Sequence, residues 1–455
     1  MLEIVKNLYR FSESKPHQLA LVFDEEKFTY REFIQVIDER TNLLTDIQKN
    51  ERVGLLSDHP INNLINYFAI HNLGGLPCFL NHQWSESTVK QLVEKYQIEW
   101  LIQDKELLST GCDDKNFEDN IKNPLLHIGF TSGTTGLPKA YYRNEPSWLI
   151  SYEENEKLIN HTSQVIVAPG PLSHSLSLYA CIYALFTGRT FIGQKVFNAE
   201  ALIDNIIKVH QPSALFVVPT MLHQLVMNDL YASNISTIFS SGAKLSKEQF
   251  DNVTQRYPYI DLIEFFGTSE ASFISYNLNQ SAPEQSVGTL FPNVEIQLLE
   301  QDSNQIGLLM VRSDMTFSGY VNELVVDETW IETGDYAYIE NRNLYLVGRK
   351  SDRLIVGGVN VYPSEIERLV MKLNCVEEAI IIGQPHHKFG EILVLLYTGN
   401  EELEYIKLKQ YLTKYLSRYE VPSKIKKIDA MIYTESGKIA RGKMKSKYLN
   451  GEIYS

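Results

Sequence analysis

The stretch Phe130-Thr131-Ser132-Gly133-Thr134-Thr135-Gly136-Leu137-Pro138-Lys139-Ala140 joins two glycines and a dense row of hydroxyls to one lysine. After Phe130 it holds no aromatic or acidic side chain. Glycines let backbone N–H groups approach a ligand closely, hydroxyls donate hydrogen bonds, and the lysine adds a point charge. These residue types suit a loop that holds polyphosphate. The spacing is not that of the P-loop G-x-x-x-x-G-K-[ST], because no hydroxyl follows Lys139 and the glycines stand closer together. A polar surface loop of low complexity is the competing reading of the same residues.

The elements around this stretch alternate. Leu19–Phe23 and Phe28–Tyr30 read as short strands leading into a helix from Arg31. The strand Val53–Leu56, the helix Ile61–Asn72, the strand Pro77–Leu80, the helix Glu86–Tyr96 and the strand Trp100–Ile102 follow. The strand Leu125–Phe130 then delivers the hydroxyl-rich loop. Beyond it come Gln164–Ala168, a helix near Ser177–Phe186, Thr190–Ile192, the helix Ala199–His210, Ala214–Val218, Thr237–Ser240 and Leu262–Phe266. Strands that alternate with helices imply right-handed crossovers and a parallel sheet, with ligands beyond the carboxyl ends of the strands. From Val287 to Val347 short alternating strands replace the helices, as in a small antiparallel barrel or sheet. The expected architecture is α/β: a large N-terminal domain of parallel αβ layers with a β-barrel-like subdomain (1–350), then a small mobile α+β domain (351–455). The hinge is expected near Lys350–Asp352.

A chain of 455 residues suggests more than one core. Its net charge of −14 argues against a nucleic-acid surface. Residues 352–455 are mildly basic, with 16 Lys+Arg against 13 Asp+Glu, which fits either a small part that meets anions or a solvated charge mixture. Cys78, Cys112, Cys181 and Cys375 are scattered, without zinc or disulfide spacing, so a reducing compartment is expected. The first residues do not read as a signal peptide, and the most apolar run, Leu176–Phe186, is shorter than a membrane span. A cytoplasmic protein without integral membrane association follows. The oligomeric state stays open, a homodimer included.

Further motifs follow in order: Pro169-Gly170-Pro171-Leu172-Ser173-His174, Phe266-Gly267-Thr268-Ser269-Glu270, Thr333-Gly334-Asp335, Gly348-Arg349, Gly357–Pro363 and Ser436-Gly437-Lys438-Ile439. With the hydroxyl-rich loop, this series resembles the adenylate-forming superfamily of acyl-CoA synthetases, adenylation domains and luciferases. The resemblance covers nearly the whole chain, from Phe28-Thr29-Tyr30 to Lys438.

The resemblance implies that a carboxylate attacks the α-phosphorus of ATP, anion against anion, so charge neutralisation dominates the barrier. It implies that Thr131, Ser132, Gly133, Thr134, Thr135, Gly136 and Lys139 cradle the β- and γ-phosphates, and that Glu270 binds Mg²⁺ beside Gly267 and Thr268. Asp335 would accept from the ribose hydroxyls, and Arg349 would hold ribose or phosphate oxygens. Lys438 would bridge the substrate carboxylate and the α-phosphate, with Glu270 and Thr131 as its catalytic company. After the small domain rotates, Gly357 and Gly358 would line the passage for CoA. Ser351 stands where many members carry a hinge aspartate; the pattern Arg349-Lys350-Ser351-Asp352 resembles o-succinylbenzoate–CoA ligases.

In the family the chain resembles, amino-acid-activating members carry an aspartate in the segment that gates the acyl pocket; Ser173–Leu178, which matches it, holds no acid, so the resemblance implies a substrate other than an amino acid. His174, Leu178, Ser241, Gly242, Ala243 and Gly267 are candidate pocket walls, mostly small or apolar. His174 reads equally as a packing ring and as a hydrogen-bonding one. The expectation is an ATP- and Mg²⁺-dependent acid–thiol ligase that makes an acyl-CoA, with a fatty acid as the leading substrate. An aryl acid such as o-succinylbenzoate, a carrier-protein acceptor, and a non-catalytic nucleotide-binding protein are the other readings.

Overall fold

The computed structural model describes residues 1–112, 123–131, 137–323, 330–433 and 439–453. Two compact units divide the chain: Met1–Glu295, Val311–Ile331 and Asn341–Leu344 form one, and Ile296–Met310, Glu332–Glu340 and Tyr345–Ser455 the other. The expected hinge residues, Lys350–Asp352, lie inside the second unit.

The first unit is built on two sheets. In one, Leu19–Phe23, Thr190–Gly193, Val165–Val167, Ser213–Val217, Ile235–Ser240 and Asp261–Thr268 lie parallel. Glu26–Thr29 and Ser272–Leu278 pair antiparallel with its two ends. Strands such as Ser213–Val217 are buried along their whole length, because helices cover both faces of a parallel sheet. Val167, Ile192, Leu215, Ile238 and Leu262 form part of that core. The second sheet has the order Glu106–Ser109, Trp100–Gln103, Arg52–Leu56, Leu76–Phe79, Leu125–Thr131, Lys139–Asn144. Its inner strands are parallel and both edge pairs antiparallel.

Local chemistry sets the helices. Thr29 ends the strand Glu26–Thr29 and caps the next helix: its hydroxyl accepts from the Glu32 amide and the Glu32 carboxylate from the Thr29 amide, at 3.2 and 2.8 Å. The helix then runs from Tyr30 to Leu43. Ser175–Thr187 is apolar nearly all round and buried from Ser177 to Leu185, so it is an internal helix. Among the described residues no helix is long and apolar enough to cross a membrane. Among the described residues, five helices lie outside the expected series: Glu3–Ser14, Glu145–Glu156, Pro219–Val226, Lys247–Arg256 and Arg441–Leu449.

In the second unit Val359–Val361, Leu354–Val356, Gly390–Thr398 and Glu378–His386 make an antiparallel sheet. Lys424–Lys427 joins it in parallel. The helices Pro363–Val370, Tyr405–Leu412 and Arg441–Leu449 belong to this unit. Val361, Ile366, Ile381, Leu395 and Leu412 pack its core. The helix Tyr405–Leu412 ends where the Thr413 hydroxyl turns back onto the Lys409 and Gln410 carbonyls.

Candidate active site

In the first unit the site starts from a strand pair. Leu125–Thr131 and Lys139–Asn144 are antiparallel, and Thr131 stands opposite Lys139. The chain therefore leaves the sheet at Thr131 and re-enters it at Lys139, directly opposite. Ser132, Gly133, Thr134, Thr135 and Gly136, expected to cradle phosphate, lie outside the described residues.

A further segment is laid against Lys139–Asn144. Ser318 N donates to Tyr142 O, Tyr142 N to Gly319 O and Val321 N to Ala140 O, each at 2.9 Å. Tyr320 thus faces Tyr141 across an isolated bridge. Its hydroxyl donates to Glu270 Oε1 at 2.8 Å. The Lys139 ammonium sits 4.8 Å from the centroid of the same ring, and 3.8 Å from Glu323. Burial, with Glu270 beside it, pushes the Tyr320 phenol upward, so it stays protonated and donates.

Glu270 follows the strand Asp261–Thr268. The register of that strand shifts between Phe266 and Gly267, and a Cβ at Gly267 would collide with the Ser272 carbonyl. Only glycine allows this close return of the chain. The Thr268 hydroxyl accepts from the Ala271 amide at 3.0 Å, and Phe317 N donates to Glu270 O at 2.8 Å. Beneath this turn Arg143 is buried; its guanidinium donates to the carbonyls of Ser269 and Met315 and to the Ser147 hydroxyl. Arg143 thereby fastens the Glu270 turn to the segment that carries Tyr320.

Among the described residues no group of three or more His, Cys, Asp or Glu side chains could hold a metal ion. A single carboxylate such as Glu270 is compatible with Mg²⁺. That ion commonly takes one or two carboxylates and completes its shell with phosphate oxygens and water.

His174 precedes the helix Ser175–Thr187 and is exposed, as are Gly242 and Ala243 after the strand Ile235–Ser240. The Ser241 hydroxyl is turned to the Phe265 carbonyl at 3.1 Å. In the same unit Tyr179, Phe265 and Phe291 each pack a ring against Phe273.

The second unit holds the other expected residues. Asp335 is buried, and Arg349 Nε lies 2.8 Å from its Oδ1. Arg349 also donates to the Thr333 carbonyl at 3.2 Å, and the Asp335 amide donates to the Thr333 hydroxyl at 3.1 Å. Thr333-Gly334-Asp335 and Gly348-Arg349, on the consecutive and neighbouring strands Ile331–Glu340 and Asn343–Arg349, are therefore one hydrogen-bonded corner. Gly357 and Gly358, with φ of 59° and 83°, form the two-residue turn between Leu354–Val356 and Val359–Val361. An open concavity of about 780 Å³ is lined by this turn with Arg353, Lys388, Phe389 and Tyr419.

Lys438 lies outside the described residues. Its neighbours are well anchored: Tyr433 bridges Ile439, and Ala440 N donates to Ile432 O at 2.7 Å. Arg441 then reaches Glu367 at 2.6 Å and Asp352, beside the exposed Ser351, at 3.1 Å.

The structure thus brings Lys139 and Glu270 together in the first unit, with Thr131 paired to Lys139 and Gly267 and Thr268 in the strand before Glu270. It joins Asp335 and Arg349 in the second. Sequence reasoning missed Tyr320, Arg143 and Arg441. Each acts through partners remote in the chain, and no local spacing marks it.

Comparison with known proteins adds to this geometry. A family model described as AMP-binding enzyme matches residues 8–124 and 114–321, and one described as AMP-binding enzyme C-terminal domain matches residues 365–438. The Staphylococcus epidermidis protein named "Putative long chain fatty acid-CoA ligase VraA" is 56% identical over 454 residues, 100% of each chain. Among solved structures, o-succinylbenzoate CoA synthetase (MenE) from Bacillus subtilis with its acyl-adenylate is similar at a TM-score of 0.83 and 20% identity, covering 96% of this chain and 97% of that one. ATP-bound MatB from Rhodopseudomonas palustris gives a TM-score of 0.83 and 20% identity over 98% of this chain and 99% of that one. At such identity the two structures establish a shared fold.

Proposed function

The chain belongs to the AMP-binding enzyme family, and we propose that within it this protein is an ATP-dependent acid–thiol ligase. A carboxylic acid, a fatty acid before others, is activated as its acyl-adenylate with release of pyrophosphate. The acyl group then passes to the thiol of CoA, and AMP leaves. The name carried by the relative at 56% identity supports the fatty acid and CoA. The observation that carries the reading is the meeting of the Lys139 ammonium and the Glu270 carboxylate on one phenol, beside the strand that delivers Thr131.

In the first step a carboxylate oxygen forms a bond to the α-phosphorus, and the bond from that phosphorus to the pyrophosphate oxygen breaks. Both partners are anions, so fixed positive charge and aligned donors lower the barrier. Thr131, Ser132–Gly136 and Lys139 are assigned to the β- and γ-phosphates. Glu270 is assigned to Mg²⁺, which would offset the negative charge of the phosphates. Gly267 and Thr268 are assigned to the nucleotide. Asp335 is assigned to the ribose hydroxyls, its orientation fixed by Arg349. Lys438 is assigned to the carboxylate and α-phosphate, where negative charge accumulates in the transition state.

His174, Gly242 and Ala243 are assigned to the acid, and the Gly357–Gly358 turn to the pantetheine arm. In this reading residues 1–350 form the nucleotide-binding body and 351–455 the part that turns about Lys350–Asp352. Four free cysteines support placement in the cytoplasm.

The test is a panel of fatty acids of increasing length with o-succinylbenzoate, offered with CoA or with a carrier protein, following AMP release. Release that depends on both a fatty acid and CoA is expected. Release with the aryl acid alone, or with the carrier protein alone, would replace the substrate assigned here. No acid-dependent pyrophosphate exchange from any panel member would leave a nucleotide-binding protein.

A further inference from the structure

The geometry points to Tyr320 as a positioning residue that holds the metal-binding carboxylate and the phosphate-binding ammonium in one fixed relation. The inference rests on the roles given above to Glu270 and Lys139.

Tyr320 touches both groups with different parts of one side chain. Its hydroxyl donates to Glu270 Oε1 at 2.8 Å, and its ring face lies 4.8 Å from Lys139 Nζ. A phenol is rigid between those two points, so the carboxylate and the ammonium are spaced by the ring itself. A hydrogen bond to an ionised carboxylate is among the stronger ones, and it leaves the second oxygen of Glu270 to turn toward a cation.

Three features fix the phenol in turn. Backbone pairing with Lys139–Asn144 sets Tyr320 opposite Tyr141. Phe317 packs edge-on against the ring at 5.1 Å, and its amide holds the Glu270 carbonyl at 2.8 Å. The next residue, Val321, is buried against Ile128 and Tyr142. Lys139 itself is exposed, with Glu323 as an equally exposed ion-pair partner at 3.8 Å. Such a pair alone is screened and weakly directional. The ring supplies the orientation that the surface ion pair lacks.

Two substitutions separate the two contacts. Tyr320→Phe keeps the ring under Lys139 and its packing on Phe317 but removes the donor to Glu270. Tyr320→Leu removes both. ATP binding is measured by calorimetry on the full chain, once with excess EDTA and once with saturating Mg²⁺. In EDTA, Tyr320→Phe should bind ATP like the wild type, and Tyr320→Leu should bind it about two- to five-fold more weakly. The gain in affinity that Mg²⁺ confers should fall about ten-fold in Tyr320→Phe. If Tyr320→Leu does not fold, the phenylalanine variant alone decides the inference.

A Mg²⁺ gain that Glu270→Gln loses and Tyr320→Phe keeps would overturn the inference while leaving the role of Glu270 intact. Equal weakening of Tyr320→Phe with and without Mg²⁺ would also overturn it, because that pattern belongs to a packing residue. If the wild type gains no affinity from Mg²⁺, the assignment of Glu270 fails first and this inference with it.

Discussion

Arg441 carries the clearest energetic prediction. Its guanidinium meets Glu367 through two nitrogens at 2.6 and 3.1 Å and Asp352 at 3.1 Å, while Glu367 also accepts the Ile381 amide at 2.6 Å. Arg441→Met would keep the length of the side chain and leave two carboxylates without their cation. Removing one partner of a fully buried pair costs about 3–5 kcal/mol. Here the side chains are 24% exposed for Arg441, 16% for Glu367 and 32% for Asp352, so water recovers part of that loss. The expected destabilisation is about 2–3 kcal/mol. The assay is urea unfolding of the full chain, with a second cycle that adds Glu367→Gln. The double variant should lose clearly less than the sum of the two single losses, by about 1–2 kcal/mol. A change under about 0.5 kcal/mol, or strict additivity, would refute the reasoning, because it would mean that solvent already screens the cluster.

Other expectations follow from the same physics. His71 is held down to about 4 by burial, and burial also holds His127 well below the ordinary histidine value. Between about pH 6.5 and 4 the unfolded chain binds more protons than the folded one, so stability should fall on acidification by about 1.4 kcal/mol per pH unit for His71 alone. His71→Gln should flatten a pH series of unfolding midpoints by that slope, and an unchanged slope would exclude burial as its origin. In the Gly357–Gly358 turn, Gly358→Ala meets no atom within 4 Å and should cost only the left-handed backbone penalty of about 1–2 kcal/mol. Gly357→Ala would add a contact at 3.0 Å with the Tyr419 ring, so it should be the more damaging, as thermal unfolding can rank. Lys438→Ala should abolish acyl-adenylate formation while sparing thioester formation from supplied acyl-adenylate; equal loss in the two half-reactions would contradict its assigned role.

Much of the architecture could be read from the chain because parallel strands bury both faces. Val165–Val167 and Ser213–Val217 are short apolar runs between helices, a pattern with few competing readings. Glu145–Glu156 gave no such signal: it buries Glu145, Ser151, Glu154 and Asn155 alongside Trp148 and Tyr152, so polarity does not track its faces. The site divides in the same way. Lys139, Glu270, Asp335 and Arg349 sit in local motifs with fixed spacing. Tyr320 instead owes its place to pairing with Lys139–Asn144, and Arg441 to carboxylates on Glu367 and Asp352. Such long-range partners leave no periodic trace in the sequence.

The opposition of Thr131 and Lys139 has a practical meaning for how this protein can change. Since Thr131 and Lys139 are paired in the sheet, swapping a hydroxyl between them, where the phosphates of ATP are proposed to bind, should retune that binding while leaving the register of Leu125–Thr131 and Lys139–Asn144 as it is. Affinity for nucleotide and durability of the scaffold can then drift separately, so that a substitution which weakens one need not endanger the other.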